Sequence, residues 1–239
     1  MEKRQLIYPY YENPQMLVTQ LHTWANWPRD LAKKIKIILV DDGSQKTQAI
    51  QLIDGAVGLP DLELYRILIN IPWNQNGAHN LGFDRAENGW CLTTDIDHVI
   101  EADQLRVILA LAKNPKCYYT FARQQVRAPG KVFKRHPNSW MLTREMFWAS
   151  GGYDEDFSGF YGSDVCFRRA LTLVGKRVDL PDSCYLTVYD EKDIPDANTR
   201  EWGRKDSKYH SANDPVLAKK RGKTYKAENP LRFPWEKVL

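Results

Sequence analysis

Through residues 1–100, short β-branched apolar runs alternate with stretches of helical periodicity, and this alternation constrains the fold more than any other feature of the chain. Gln5-Leu6-Ile7-Tyr8 is an apolar run ended by Pro9. Residues 14–27 place Met16, Leu17, Leu21 and Trp24 at helical spacing, and Pro14 suits a first helical turn. Ile35-Lys36-Ile37-Ile38-Leu39-Val40 is a β-branched strand that stops at Asp41-Asp42-Gly43-Ser44. A helix over 45–53, a strand over 62–69 and a helix over 77–87 follow. A strand over 90–94 then ends in Asp95-Ile96-Asp97-His98. Alternating strands and helices predict an α/β fold with a mostly parallel central sheet and helices on both faces.

The second half is less regular. The pattern predicts helices over 102–112, 144–149 and 164–174, the last closed by Gly175, and strands over 117–122 and 184–188. Residues 123–138 are polar, basic and broken by Pro129-Gly130 and Pro137, which predicts a loop. Beyond Asp190 the sequence is mostly polar, with Trp202 and Trp235 as anchors. No internal repeat divides the chain, so one domain over 1–239 is expected. At 239 residues, with 43% hydrophobic and 27% charged, the chain can bury a sizeable core, which excludes global disorder and a fibrous protein. No run approaches the ~20 apolar residues of a membrane helix. The N-terminus has no signal-peptide core, so a cytoplasmic protein is expected. Cys91, Cys117, Cys166 and Cys184 are dispersed without a CxxC, which predicts reduced thiols.

Acidic residues sit just past two candidate strands, at Asp41/Asp42 and at Asp95/Asp97. In an open α/β sheet that edge is where ligands bind. Two carboxylates spaced Asp-x-Asp at a strand end point in similar directions and can share a hard divalent cation. Taken alone, the motif is weak and reads first as a turn or a helix cap. Its company changes that. Pro9-Tyr10-Tyr11-Glu12-Asn13, Val40-Asp41-Asp42-Gly43-Ser44, Asn80-Leu81-Gly82-Phe83 and Thr94-Asp95-Ile96-Asp97-His98 occur in this order. They are followed by Gly151-Gly152-Tyr153-Asp154-Glu155-Asp156-Phe157 and Gly159-Phe160-Tyr161-Gly162-Ser163-Asp164. Over about residues 5–190 the set resembles GT-A glycosyltransferases of the family-2-like kind. The stretch 80–100 also resembles β-1,4-galactosyltransferase and polypeptide GalNAc-transferase catalytic domains. The later motif resembles the acceptor side of galactosyltransferases.

The resemblance implies a GT-A (Rossmann-like) domain. Residues 1–100 would form its nucleotide-sugar-binding half, 101–190 its acceptor-side half and 191–239 a basic extension. It implies a metal-dependent inverting transfer of a sugar from a nucleotide-sugar, expected to be a UDP-sugar, to a hydroxyl acceptor. By the same resemblance Asp42 contacts the nucleotide base, with Pro9 and Tyr11 near the same pocket, and Asn80 flanks the nucleotide. Asp95 lies near ribose and metal, Asp97 binds the metal, Mn²⁺ or Mg²⁺, and Asp164 is the catalytic base. His210 is the candidate third metal ligand, Tyr189-Asp190 stands where that histidine would be sought, and His98 directly follows the Asp-x-Asp. Compared with the family pattern, Ser163 replaces an acid, Phe160 replaces a Trp, Tyr161 replaces a Gly and His79 replaces an Arg.

The net charge of +4 is unevenly placed. Residues 200–239 hold 11 Lys and Arg against 5 Asp and Glu, and residues 104–144 hold nine Lys and Arg and no acid. These stretches are either solvated surface or a surface for an anionic partner. The candidate acceptors are DNA carrying a modified base, met by Arg123, Arg127, Lys131, Lys134, Arg135 and the lysines and arginine of 219–226, and a glycan or lipid-linked saccharide. Two other readings are a nucleotide-sugar-binding protein without catalysis and a nucleic-acid-binding module. The second leaves the series of acids unexplained.

Overall fold

The computed structural model describes residues 3–71, 74–160, 162–198, 219–220, 227 and 230–239. In chain order the elements are β1 (Arg4–Tyr10), α1 (Pro14–Ala25), α2 (Arg29–Ala32), β2 (Ile35–Asp41), α3 (Ile50–Ile53), β3 (Asp61–Ile67) and α4 (Gln75–Arg85). Then follow β4 (Trp90–Thr93), β5 (His98–Val99), α5 (Ala102–Ala110), β6 (Cys117–Thr120), β7 (Ala122–Gln125), β8 (Val132–Phe133) and β9 (Trp140–Thr143). The chain continues through α6 (Arg144–Ala149), α7 (Ser163–Val174), β10 (Lys176–Asp179), β11 (Tyr185–Val188) and β12 (Trp235–Lys237).

Among the described residues the main sheet has eight strands in the order β10-β6-β9-β4-β1-β2-β3-β12, and a smaller sheet runs β5-β11-β7-β8. In the main sheet the pairs β1–β2, β1–β4, β2–β3 and β10–β6 are parallel, while β9 and β12 pair antiparallel with their neighbours. The sheet is mostly parallel, as the alternation predicts.

Period-two alternation distributes each strand between two apolar layers. Leu6 and Tyr8, Ile35, Ile37 and Leu39, Leu92, Tyr119 and Met141 pack with Met16, Leu17, Leu21 and Trp24 of α1 and with Leu105 and Ile108 of α5. Their neighbours Ile7, Ile38, Val40, Cys91, Tyr118 and Leu142 pack with Ala78 and Leu81 of α4, Phe147 of α6, and Phe167 and Leu171 of α7. Helices therefore cover both faces, and β2 is buried along its whole length. Close packing of α4 onto the sheet depends on Gly82, where a Cβ would stand 2.3 Å from Ile7 Cγ2. The four cysteines are buried free thiols. Among the described residues no helix is long and apolar enough to cross a membrane.

The structure corrects several local expectations. The helix expected over 45–53 shrinks to α3, and the segment before it is held by two carboxylates. Glu12 accepts from Gln45, Lys46 and Thr47, and Asp41 accepts from Ser44 and Ala49. The loop expected over 123–138 contains the hairpin β7–β8, in which the Arg123 guanidinium lies 4.6 Å over the Phe133 ring. The strand expected over 117–122 divides between the two sheets as β6 and β7. β9 and the edge strands β10 and β12 have no counterpart in the sequence reading. Trp202 lies outside the described residues.

Candidate active site

β1, β2 and β4 run parallel, so their C-terminal ends open on one edge. The chain order places β1 between β4 and β2, which makes a topological switch point at that edge. The two acids that end β2 have separate duties. Asp41 closes the following loop by accepting from Ser44 N at 2.8 Å and Ala49 N at 2.9 Å. Asp42 accepts from Asn74 Nδ2 at 3.0 Å and is buried, which raises its pKa well above the ordinary carboxylate range. Pro9 lies in β1 opposite Val40. The Tyr11 hydroxyl donates to Asn70 Oδ1 at 3.1 Å. Asn74 also accepts from the Ser158 hydroxyl, so one amide joins Asp42 to the loop before α7.

The Asp95-Ile96-Asp97-His98 turn follows β4 directly and is pinned from three sides. Gln20 of α1 donates its Nε2 to the carbonyls of Ile96, at 2.8 Å, and His98, at 2.9 Å. Tyr189 N donates to Asp97 O at 3.0 Å, so the segment expected to supply the metal histidine meets the motif through its backbone. Asp190 instead pairs with Arg127, which holds its carboxyl down at about 2. His98 places Nδ1 2.6 Å from Asp97 Oδ1 and fixes the orientation of that carboxylate.

His136, to which the sequence reading gives no role, stands at the other acid: its Nε2 lies 3.4 Å from Asp95 Oδ2. Asn138 N, a donor, approaches His136 Nδ1 at 3.3 Å, so Nε2 carries the proton of the neutral ring. A bond of 2.6 Å between the hydroxyls of Thr94 and Ser139 holds this segment beside β4. The signal for His136 was absent from sequence because 41 residues separate it from Asp95, and only the antiparallel insertion of β9 next to β4 unites them.

The residues fit a hard divalent cation of the Mn²⁺ or Mg²⁺ kind. Asp95 and Asp97 offer oxygen donors that keep contact with solvent, at 27% and 14% side-chain exposure. Among the described residues no set of three or more His, Cys, Asp or Glu is arranged to hold a metal. Two carboxylates completed by substrate phosphates and water is the usual manner for such ions. His210, the candidate third ligand, lies outside the described residues, as does Tyr161.

Asn80, expected to flank the nucleotide, braces the Gly-Gly loop. It is fully buried, its Nδ2 donates to Tyr153 O and Glu155 Oε1, both at 2.8 Å, and its Oδ1 accepts from Tyr153 N at 2.9 Å. Both amide hydrogens are thereby committed to the Gly-Gly loop. Gly152 adopts φ +71°, and a Cβ there would stand 2.9 Å from Asn80 Oδ1. His79 is also buried, stacked on Tyr153, and burial pushes its pKa down to about 3, so it carries no positive charge in place of the family's Arg. Glu155 is a further structural residue missed by the sequence reading. Its buried carboxylate accepts from Asn80, Leu231 N and Arg232 N, joining α4, the loop and the C-terminal segment.

Asp164 is the second residue of α7, after Gly162 at the N-cap, so it is not itself the cap. It lines a cavity of about 370 Å³ with Arg123, Lys134, Arg135, His136, Trp140 and Arg168 among the walls. Because His136 touches Asp95, this cavity adjoins the Asp-x-Asp turn. Much of the remaining basic surface is internally paired. Arg127 binds Asp190 and Asp193, and Lys220 binds Asp154 and, at 2.6 Å, Asp156. Arg221, Lys223 and Lys226 lie outside the described residues.

Comparison with known proteins agrees with this geometry. Residues 6–170 match the family model described as glycosyl transferase family 2. An undecaprenyl-phosphate 4-deoxy-4-formamido-L-arabinose transferase of Proteus mirabilis is 25% identical over 113 residues, 47% of this chain and 34% of that protein. The protein of the same name from Yersinia pestis (strain Pestoides F) is 28% identical over 97 residues, 41% of this chain and 29% of that protein. The chain thus spans about a third of the length of these curated relatives. Among solved structures, S. aureus TarS 1-349 superposes with a TM-score of 0.63 at 17% identity, covering 82% of this chain and 63% of that one. The same fragment in complex with UDP-GlcNAc gives 0.64 at 15% identity over 79% and 58%. Mannosyltransferase PcManGT from Pyrobaculum calidifontis, in complex with GDP-Man and Mn²⁺, gives 0.58 at 15% identity over 77% and 56%. These superpositions show a shared fold. With a sheet of GT-A order, acids at its switch point and a family model matched over most of its length, the chain belongs to glycosyl transferase family 2.

Proposed function

We propose that the chain catalyses metal-dependent, inverting transfer of a sugar from a nucleotide-sugar, expected to be a UDP-sugar, to a hydroxyl acceptor. The observation that carries this reading is the convergence at one sheet edge of Asp42, the Asp95/Asp97 pair and, across His136, the cavity holding Asp164. Solved relatives of the same fold are named as complexes with UDP-GlcNAc and with GDP-Man and Mn²⁺, which supports a nucleotide-sugar donor.

In this reading Asp42 receives an N–H from the nucleotide base, and Pro9 and Tyr11 flank the base. Asp95 and Asp97 hold the cation, with His210 as its candidate third ligand, and His136 and His98 position the two carboxylates. A divalent cation bound there supplies charge neutralisation for the departing diphosphate. Asp164 takes the acceptor hydroxyl proton as that oxygen bonds to the anomeric carbon. The bond from that carbon to the diphosphate oxygen breaks on the opposite face, and its electron pair leaves with the nucleoside diphosphate. The anomeric configuration inverts because one displacement occurs. The curated relatives' names include undecaprenyl-phosphate, which supports a lipid-linked acceptor, and DNA carrying a modified base and a glycan are the other acceptor readings.

The test is nucleotide release from a panel of UDP-sugars with Mn²⁺, for wild type beside Asp97→Ala and Asp164→Asn. Wild type is expected to release UDP only with the metal. Asp97→Ala abolishes release, and Asp164→Asn lowers transfer by about 10²–10⁴-fold. Retention of UDP and metal with no turnover of any nucleotide-sugar would reassign the chain as a binding protein. A product of retained configuration would refute the role of Asp164.

A further inference from the structure

Five cationic side chains share the cavity beside Asp164. Arg123, Lys134, Arg135, Arg168 and Arg177 line about 370 Å³, and Asp164 is the one acid among the lining residues. Three of these cations are held by neutral or peripheral partners. Arg123 Nε donates to Lys134 O at 2.7 Å. Arg135 donates to the carbonyls of Thr120 and Leu180 and stands 3.7 Å from Asp179 and 3.6 Å from Asp182, two carboxylates outside the cavity lining, and Arg177 Nε meets Asp179 Oδ1 at 2.7 Å. The carbonyl bond of Arg123 orients its guanidinium without neutralising it. Among the described residues Lys134 and Arg168 have no carboxylate at ion-pair distance. Arg168 lies one helical turn beyond Asp164, on the same face of α7.

Like charges gathered in a concave wall repel one another and focus a positive potential into the cleft. Guanidinium forks match the oxygens of a phosphate, and a volume near the lower end of ligand pockets suits a phosphate with one attached ring. The cavity adjoins the nucleotide edge at His136 and extends away from it. Its walls run from Trp140 of β9, next to β4, through Thr120 at the end of β6 to Arg177 of β10, three strands from β4 or about 14 Å at ordinary strand spacing, on the side away from β1 and β2. Arg123 marks the boundary. Burial lowers its pKa, while Asp97 and Asp95 act against that shift from electrostatic range.

We infer that this cavity is a phosphate-binding acceptor subsite: it grips a phosphate group of the acceptor and so presents a neighbouring hydroxyl to Asp164. The inference rests on the transferase reading for the role of that hydroxyl, while the phosphate site rests on the cavity itself.

The experiment is calorimetric titration of the full chain at low salt with ribose 5-phosphate and with ribose, each before and after saturation with UDP and Mg²⁺. Ribose 5-phosphate is expected to bind at least tenfold more tightly than ribose, with or without UDP. The double variant Lys134→Met/Arg168→Met should lose at least tenfold of that affinity. Its melting midpoint is the fold control and should equal or exceed the wild type, because like charges are removed. The single variant Lys134→Met, at an exposed position, should lose part of the affinity. Equal binding of ribose and ribose 5-phosphate overturns the inference, as does unchanged affinity in the folded variants. Displacement of ribose 5-phosphate by UDP also overturns it, since the cations would then hold the donor diphosphate. Absence of UDP binding, with ribose 5-phosphate still bound, sinks the donor reading and leaves the phosphate site standing. Competition by farnesyl phosphate micelles would assign the phosphate to a lipid, and competition by an oligonucleotide to a nucleic-acid backbone; either supports the site.

Discussion

Replacing Glu155 with Gln tests whether one buried carboxylate ties the C-terminal segment to the candidate active site. Glu155 Oε1 accepts from Asn80 Nδ2 and Leu231 N, both at 2.8 Å, and Oε2 accepts from Arg232 N at 3.1 Å. Arg232 Nε lies 3.9 Å from Oε2. Gln keeps the shape and loses the charge. Its less costly rotamer leaves the amide oxygen at the Oε1 position and turns NH₂ toward Arg232 N–H, donor against donor. One charge-assisted bond, worth about 1.5–3 kcal/mol, is lost and a part-buried N–H is left unsatisfied. The expected destabilisation is about 2–4 kcal/mol, and at about 2–4 °C per kcal/mol for a chain of this length the melting midpoint falls by about 4–16 °C. Circular dichroism on wild type and Glu155→Gln reads the midpoint. Hydrogen exchange of residues 231–239 reads the release of β12, whose amides should exchange faster in the variant. An unchanged midpoint together with unchanged exchange over β12 would refute the reasoning.

Four further outcomes follow from single contacts. Gly82→Ala should destabilise by about 1–3 kcal/mol through overpacking on Ile7, and Ile7→Val in the same chain should recover part of it in urea denaturation. Asp42→Asn should weaken UDP affinity yet raise the melting midpoint at neutral pH. Burial holds the Asp42 pKa well above its ordinary 3.8, so the stability given by its protonated form is full below about 4 and lost as pH rises through the folded value. The variant should lack that part of the pH slope, and an identical slope would contradict the assignment. His98→Ala should weaken metal affinity in the presence of UDP by about 10–100-fold, measured by titration, because Asp97 loses its orienting partner. Asp97→Ala should remove metal-dependent UDP release altogether.

The alternating runs of the first hundred residues determined the α/β class, and the ordered motifs determined which acids to consider, because both signals are local. A strand's two faces are encoded in successive residues, so Leu6/Ile7 and Leu39/Val40 announce a sheet covered on both sides. Tertiary structure decided what each polar residue does. Asp41 and Asp42 are adjacent in sequence, yet one closes a loop and the other stands buried beside Asn74, since alternation sends neighbours to different surroundings. Asn80, read from sequence as flanking the nucleotide, braces the loop before α7, because only folding brings Tyr153 and Glu155 to it. Residues 123–138 looked like a loop for want of apolar residues, and became a hairpin through the stacking of Arg123 on Phe133. His136 reached Asp95, and five scattered cations reached one cavity, through strand pairings that join residues far apart in the chain. Such pairings leave no periodic trace: a periodic pattern records which face a residue occupies, and the distance between two segments is fixed only when the sheet assembles.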